Sequence, residues 1–393
     1  MHDDWAVLLV GSRPFEGRPP LSETHLAKAL ARTRPVLVVD PPRSRWRRDN
    51  RDQVELVVLD DGSALTVFRP RTLPAPDRSG SVVINDVLIA RQVNRAARQW
   101  LGNRRRVIVS FSPHRGLLPR VDHDLFVYWQ YDRVADIPGL WARDTALARH
   151  QRLLHGADIV TGVSTELVDE CAGQGVAAEL ITNGVDLRRF ETQGRVPPEL
   201  KGRHPVIGFV GAIGPRVDVD LVADVARARP DAAVVLIGPQ RVDLPDLPNL
   251  LVVGSLPYDE LSDWVANFSV GLVPYRTDRF NRSSSPLKAF EYLAAGVPVV
   301  STPLPALDGL GPTVTVAPAG SAFLAAVDRA IEEPVGADSC RRAAAGNTWE
   351  HRAEQLTALI DARLHPGPGA ASPPEPGSGT DVAVPQREPR SRA

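Results

Sequence analysis

Lys288 and Glu291 stand three residues apart in the run Ser284-Ser285-Pro286-Leu287-Lys288-Ala289-Phe290-Glu291-Tyr292-Leu293-Ala294-Ala295-Gly296-Val297-Pro298-Val299-Val300. At that spacing an ammonium and a carboxylate share one side of a helix. Ser284 or Ser285 is expected to supply an N-cap oxygen, and Pro286 suits the first helical position, where a missing N–H costs nothing. The free amides and positive dipole end at such a start favour a phosphate. Leu287, Phe290 and Ala294 are expected to form an apolar stripe against a sheet, with Gly296 ending the helix before a buried strand from Val297. An anion held at the helix start, with a carboxylate one turn on for vicinal hydroxyls, describes a bound nucleotide diphosphate. A solvated ion pair worth about 0.2–0.5 kcal/mol would account for Lys288 and Glu291 alone. It leaves the Ser-Ser-Pro start and the Gly-x-Pro-Val-Val end unexplained.

Other residues could contribute chemistry from strand ends. His114 follows the apolar run Val107 to Phe111, and Asp132 follows Tyr128-Trp129-Gln130-Tyr131. Either could accept a nucleophile's proton, and either could instead be a structural His or a turn-capping Asp. Gly208-Phe209-Val210-Gly211-Ala212-Ile213-Gly214 has Gly-x-x-Gly-x-x-Gly spacing with glycines starting inside a strand. That differs from the dinucleotide fingerprint, although a tight turn there still admits phosphate. Residues 11–20 form a connection longer than structure requires, so an acceptor or phosphate role is open. Asp122-His123-Asp124 precedes a strand, on the side away from a ligand crevice, and is assigned no metal.

The elements that must position these groups alternate. Apolar strands are expected at Ala6 to Val10, Val36 to Val39, Leu56 to Leu59, Val107 to Phe111, Leu125 to Tyr128 and Ile159 to Val163, with helices at Ser22 to Ala31, Ile84 to Leu101 and Leu140 to Leu154. A second series has strands at Val206 to Val210, Ala233 to Leu236, Leu250 to Val253, Val270 to Leu272, Val297 to Val300 and Val314 to Val316. Its helices are Asp220 to Ala228, Tyr258 to Ala266 and Pro286 to Ala295. Continuous apolar strands between helices imply an α/β fold with parallel sheets covered on both faces. Residues 1–190 read as one doubly wound domain, 191–204 as a hinge linker and 205–346 as a second domain. Residues 347–364 read as a final amphipathic helix and 365–393 as a disordered Pro/Gly/Ser/Arg tail. The two domains are expected to face each other across a cleft, with ligands outside the carboxyl ends of the strands.

Composition narrows the classes. At 393 residues the chain exceeds one ordinary core, and its net charge of −1 gives no basic field for nucleic acid. Of 46 basic residues only Lys28, Lys201 and Lys288 are lysines, so arginine alone says little about function, and a lysine at 288 says more. Two distant cysteines, Cys171 and Cys340, fit a reduced, cytoplasmic setting rather than a disulfide framework. No apolar run approaches the about 18 residues of a membrane span. Two Arg clusters interleaved with Trp, at Arg43 to Arg51 and Arg95 to Arg106, could rest on anionic lipid at the inner face of the membrane. A solvated helix face in an Arg-rich chain gives the same pattern.

The run from Pro286 to Val300 resembles the signature Pro-x-Lys-x-x-Glu-Tyr-x-Ala-x-Gly-x-Pro-Val-Val of the large retaining family of GT-B glycosyltransferases that use nucleotide-sugar donors. Ile181-Thr182-Asn183-Gly184-Val185-Asp186 with Phe190, and Gly208 to Ile213, are similar to two further stretches of that family, in the same order. The Asp40-Pro41-Pro42 ending, Tyr131-Asp132 and Ser-Pro-Leu-Lys bring it nearest to bacterial transferases of teichuronic-acid and other cell-surface polysaccharide synthesis. The resemblance implies two Rossmann-like domains, transfer with retention and no metal or other cofactor. The partners it implies are a nucleotide-sugar donor and a carbohydrate or lipid-linked acceptor. It would place Glu291 on the ribose, Ser284, Ser285 and Lys288 on the diphosphate, Gly211 and Arg216 opposite them, and Leu256 near the base. Two positions depart from the family pattern. Ser283 stands where many members carry a sugar-contacting Glu, and Arg216 is the nearest cation where a Lys-Gly is usual. A nucleotide-sugar epimerase on the same fold and a non-catalytic nucleotide-sugar-binding protein remain as alternatives.

Overall fold

Val, Ile and Leu runs bounded by Gly, Asp or Pro become strands buried on both faces, as continuous apolar runs in parallel sheets require. The computed structural model describes residues 4–16, 20–44, 53–73, 82–112, 120–137, 143–190 and 195–366. His114, the arginines at 45, 47, 48 and 51, and most of the expected tail lie outside these residues.

The first sheet contains β1 (Trp5–Val10), β2 (Val36–Val39), β3 (Val54–Val58), β4 (Ala64–Phe68), β5 (Arg105–Ser110), β6 (Leu125–Gln130), β7 (Ile159–Gly162) and β8 (Glu179–Leu180). Their spatial order is β8-β7-β6-β5-β1-β2-β4-β3. All neighbours are parallel except β3 and β4, which pair antiparallel from Val54 opposite Phe68 to Val58 opposite Ala64. The uniformly parallel sheet expected from the sequence is therefore corrected at this edge. Leu59 to Ser63 closes a short turn, with the Leu59 amide donating to the Ser63 carbonyl, and a turn that tight can only reverse the chain. Helices α1 (Ser22–Ala31), α2 (Val82–Leu101), α3 (Arg143–Gly156) and α4 (Thr165–Gly173) connect these strands.

A short helix, α5 (Leu187–Phe190), leads to the second sheet, made of β9 (Val206–Val210), β10 (Ala233–Ile237), β11 (Leu250–Gly254), β12 (Val270–Val273), β13 (Val299–Ser301) and β14 (Val314–Val316). Its order is β11-β10-β9-β12-β13-β14, the doubly wound arrangement in which the connection reverses between β9 and β12. Around it lie α6 (Val219–Ala228), α7 (Leu261–Val265), α8 (Arg279–Arg282), α9 (Leu287–Ala294), α10 (Ser321–Glu332) and α11 (Ala337–Ala345). Val185 and Phe190 pack into this second core.

Gly208 and Gly271 face each other across β9 and β12. A Cβ on Gly208 would lie 2.1 Å from the Phe268 ring, and one on Gly271 2.3 Å from the Tyr292 ring. Gly208 is thus a packing glycine that makes room for the Phe268 ring, as Gly271 does for Tyr292, and the two rings meet edge-on at 66°. The final helix, α12 (Trp349–Leu364), returns to the first domain. Its Trp349, Ala353, Leu356, Ile360 and Leu364 are buried with β1 and β5 residues, and Trp5 Nε1 donates to Asp361 Oδ1 at 2.6 Å. No described helix is long and apolar enough to cross a membrane.

Candidate functional site

The chain reverses between β1 and β5 in one sheet and between β9 and β12 in the other, and both switch points open onto one cavity of about 370 Å³. Ser12, Arg13, Phe111, Tyr131 and Asp132 line it from the first domain. Gly211, Arg216, Tyr275, Lys288 and Glu291 line it from the second. Asp132, Gly211, Arg216, Ser284, Ser285, Lys288 and Glu291, singled out from sequence, are thus brought together. Leu256 is not among the lining residues: it packs half-buried against the second core, and Tyr258 and Leu261 of the same segment reach the cavity instead.

The start of α9 differs from the expectation. Pro286, not a serine, occupies the cap position with φ −74° and ψ 109°, and no side chain caps the helix. Ser284 Oγ donates to the Asn281 carbonyl at 2.8 Å, and Ser285 Oγ accepts the Asn183 amide at 3.2 Å. Both serines are spent on holding the preceding turn, which leaves the helix amides without a side-chain cap beside the cavity. The apolar stripe also differs. Leu287 lines the cavity, while Ala289, Phe290, Tyr292, Leu293 and Ala294 are buried. Gly296, at φ +85°, closes the helix as expected. Its amide donates to the Leu293 carbonyl and that of Val297 to the Tyr292 carbonyl, a Schellman end.

Lys288 reaches back over the sheet. Its Nζ hydrogen-bonds to the Tyr275 hydroxyl and lies 5.0 Å from the Phe209 ring centroid and 4.6 Å from that of Tyr275. Gly211 makes room for it, since a Cβ there would meet Lys288 Cε at 3.1 Å, and its φ of +140° suits glycine. Arg216 Nε donates to Asn281 Oδ1 at 2.8 Å, with its guanidinium over the Phe280 ring at 4.5 Å. Asn281 is fully buried and also donates to the Arg216 and Arg276 carbonyls, so it ties the two loops together. Burial alone would raise the Tyr275 phenol, but Lys288 and Arg216 outweigh it and bring it below its ordinary value.

Two carboxylates face these cations. Glu291 Oε1 accepts a 2.7 Å bond from the Tyr258 hydroxyl. Burial raises the Glu291 pKa, opposed by that bond and by Lys288 and Arg189. Asp132 is pushed up to about 6 by burial, opposed by Arg216 and Arg13.

The loop after β1 is held from below. Glu23 accepts the Ser12 amide and hydroxyl at 2.9 and 3.0 Å and the Arg13 amide at 2.9 Å. Asp40 Oδ1 accepts the Phe15 amide at 2.8 Å. Tyr131 hydrogen-bonds to the Ser12 side chain, and burial pushes its phenol up to about 12. Arg13, Glu23, Tyr258 and Tyr275 did not emerge from the sequence. Arg13 lies in the long loop already noted, whereas nothing local distinguishes Tyr275 or Glu23.

Ser283, at the position where the family pattern carries a carboxylate, points away from the cavity. It is buried, its hydroxyl donates to the Phe280 carbonyl at 2.8 Å, and it does not line the site. Asp122 pairs with Arg98 and Arg106, and Asp124 accepts the Arg106 amide. Among the described residues no cluster has the makings of a metal site.

Residues 216–358 match the model of a family described as glycosyl transferase-like. That stretch holds Arg216, Tyr258, Tyr275, Lys288 and Glu291 together. A curated relative from Bacillus subtilis, described as a teichuronic acid biosynthesis glycosyltransferase and called TuaH, is 31% identical over 168 residues. The match covers 39% of this chain and 42% of TuaH, so it spans less than half of either protein. Among solved structures, sucrose-phosphate synthase from Thermosynechococcus elongatus is similar with a TM-score of 0.68 and 15% identity, covering 92% of this chain and 99% of that one. Trehalose-6-phosphate synthase OtsA follows at 0.65 and 13%, covering 91% and 99%. HepE of Anabaena, solved with UDP and glucose, follows at 0.64 and 14%, also covering 91% and 99%. Such identities speak for the fold alone, and the fold is GT-B: two doubly wound α/β domains with a cleft between them.

Proposed function

We propose that this glycosyl transferase-like protein moves a sugar from a nucleotide-diphosphate donor to an acceptor hydroxyl, with retention, in bacterial cell-surface glycan synthesis. The carrying observation is the meeting of Lys288, Arg216, Glu291 and an uncapped helix start in one cavity at the paired switch points. In this reading the α9 amides, Lys288 and Arg216 take the diphosphate, with Ser284, Ser285 and the Gly211 backbone beside it. Glu291 takes the ribose hydroxyls, and the Leu256–Leu261 segment borders the base. Charge developing on the leaving diphosphate is met by these cations, and no metal is required.

The acceptor enters from the side of Ser12, Arg13, Tyr131 and Asp132. Its hydroxyl attacks on the face that the diphosphate leaves, and an oxygen of the leaving group assists. In this reading that oxygen holds the attacking hydroxyl by a hydrogen bond, and Asp132, which lines this side and whose carboxyl burial raises to about 6, takes up its proton. The protein's share is then positioning and preorganised charge. The likeness to TuaH supports a polysaccharide product, and HepE's UDP and glucose support a nucleotide-sugar donor. The setting this implies is the cytoplasm, with a carbohydrate or lipid-linked acceptor at the membrane's inner face.

The test is calorimetric binding with a panel of UDP-, GDP- and ADP-sugars, followed by transfer assays with and without EDTA. The reading predicts tight binding of one nucleotide class, loss of it in Glu291→Ala, and transfer that survives EDTA. If no nucleotide binds, the reading fails.

A further inference from the structure

Glu291 does not meet the cavity as an unsupported side chain. Tyr258, on a 3-10 turn at Tyr258–Glu260 just after β11, donates its hydroxyl to Glu291 Oε1 at 2.7 Å. That bond occupies one lone pair and fixes the carboxylate plane, leaving Oε2 and the remaining lone pairs for other donors. The Tyr258 ring is itself gripped. The Arg189 guanidinium, from α5, lies 4.3 Å from its centroid. His25, from α1 of the first domain, meets it at 6.2 Å and 58°. His25 in turn stacks on Trp349 at 5.6 Å with an interplanar angle of 3°. Residues distant in sequence from α9, Arg189 of α5 and His25 of α1 with Trp349 behind it, thus hold the phenol that meets one carboxylate.

We propose that Tyr258 is a positioning residue for the donor: its hydroxyl holds Glu291 in the orientation that takes both vicinal hydroxyls of the ribose. The inference rests on the donor reading above. Tyr258 itself need not touch the ribose. Removing its hydroxyl frees the Glu291 carboxylate to rotate, and a bidentate acceptor becomes one whose two bonds no longer form together. The ring contacts with Arg189 and His25 survive in Tyr258→Phe, so that variant isolates the hydroxyl.

The experiment measures Kd for UDP, GDP and ADP, each beside its 2′,3′-dideoxy counterpart, with wild-type protein, Tyr258→Phe and Glu291→Ala. In the wild type the ribonucleotide that binds is expected to bind more tightly than its dideoxy form. Tyr258→Phe should weaken the ribonucleotide about tenfold, the scale of one hydrogen bond to a charged group, and leave the dideoxy form unchanged. The gap between the two forms then narrows. Equal weakening of both forms would mean general damage to the site, and no change in either would mean the hydroxyl is idle; each result overturns the inference. The donor reading fails separately, and takes the inference with it, if wild type makes no distinction between the two forms or Glu291→Ala binds like wild type.

Discussion

The Ser164 hydroxyl donates a 2.8 Å hydrogen bond to the Ser283 carbonyl, joining the two domains across 119 residues of sequence. The same Ser164 oxygen caps α4 through the Leu167 amide. Beside it Arg282 Nη2 donates to Glu166 Oε1 at 2.9 Å, and Asn183 holds Ser285 by its amide and its Nδ2. The turn that carries the helix start is thus braced against the opposite domain. The Ser164 bond uses the Ser283 carbonyl, which any residue would offer; the Ser283 side chain is buried against the Phe280 carbonyl, where a glutamate would have to bring in a carboxylate.

Ser164→Ala removes a cap and an interdomain bond at once. It is expected to cost about 1–2 kcal/mol in denaturant unfolding. Because Ser283 borders the helix start, the same variant should also weaken nucleoside diphosphate binding. A stability loss without a binding change would place the brace outside the donor site.

Lys288→Met keeps the apolar stem and removes the charge that sits between Phe209, Tyr275 and Gly211. UDP, or whichever diphosphate binds, should lose about tenfold or more in Kd, while the bare nucleoside should bind as before. Equal losses for both would show that the lysine supports the fold rather than the diphosphate.

Asp132 supplies a pH prediction. Its carboxyl, raised to about 6 by burial against the opposing pull of Arg216 and Arg13, must be ionised to accept a proton. Transfer measured as kcat/KM should therefore fall as pH drops through about 6, and Asp132→Asn should lower kcat and flatten that limb. The stability effect has the opposite sense. A folded-state pKa above the unfolded value favours the folded protein at low pH, and that contribution fades as pH rises from about 4 through 6. Activity and stability should accordingly move in opposite directions across this window. An acid limb that persists in Asp132→Asn would assign the titration elsewhere.

Gly208→Ala tests the packing reading of the glycine-rich strand. The new methyl would lie 2.1 Å from the Phe268 ring, so the ring or the strand must move. A loss of about 1–3 kcal/mol is expected by thermal unfolding, with partial recovery on adding Phe268→Leu. Nucleotide affinity should change little in whatever folded protein remains. A specific loss of affinity would return Gly208 to the binding site.

Much of this molecule was legible in the chain itself. The helices Ser22–Ala31 and Trp349–Leu364 and the strands Val36–Val39, Val206–Val210 and Val314–Val316 begin and end where apolar periodicity and flanking Gly, Pro and Asp place them. That Lys288 and Glu291 reach one cavity follows from their spacing on one helix, whereas the strand order of the second sheet is shown only by the fold. Strand β4 and helices α10 and α11 were less legible. Ala64–Phe68 follows β3 after a short polar turn, and α11 is rich in Ala and Arg without a long apolar run.

The sequence by itself determined the local elements, their alternation and the chemical types offered at the start of α9, because periodicity, caps and backbone-restricting residues act within a few positions. Tertiary structure decided how those types are used. It gave Ser285 to Asn183 instead of a cap, the Ser283 carbonyl to Ser164, Tyr258 to Glu291 and the final helix to the first domain's core. Each of these depends on partners that only folding brings within 3 Å or so, across 102 residues for Asn183 and Ser285 and 119 for Ser164 and Ser283. A short hydrogen bond is satisfied by whichever group packing delivers, and no local pattern records which one that will be.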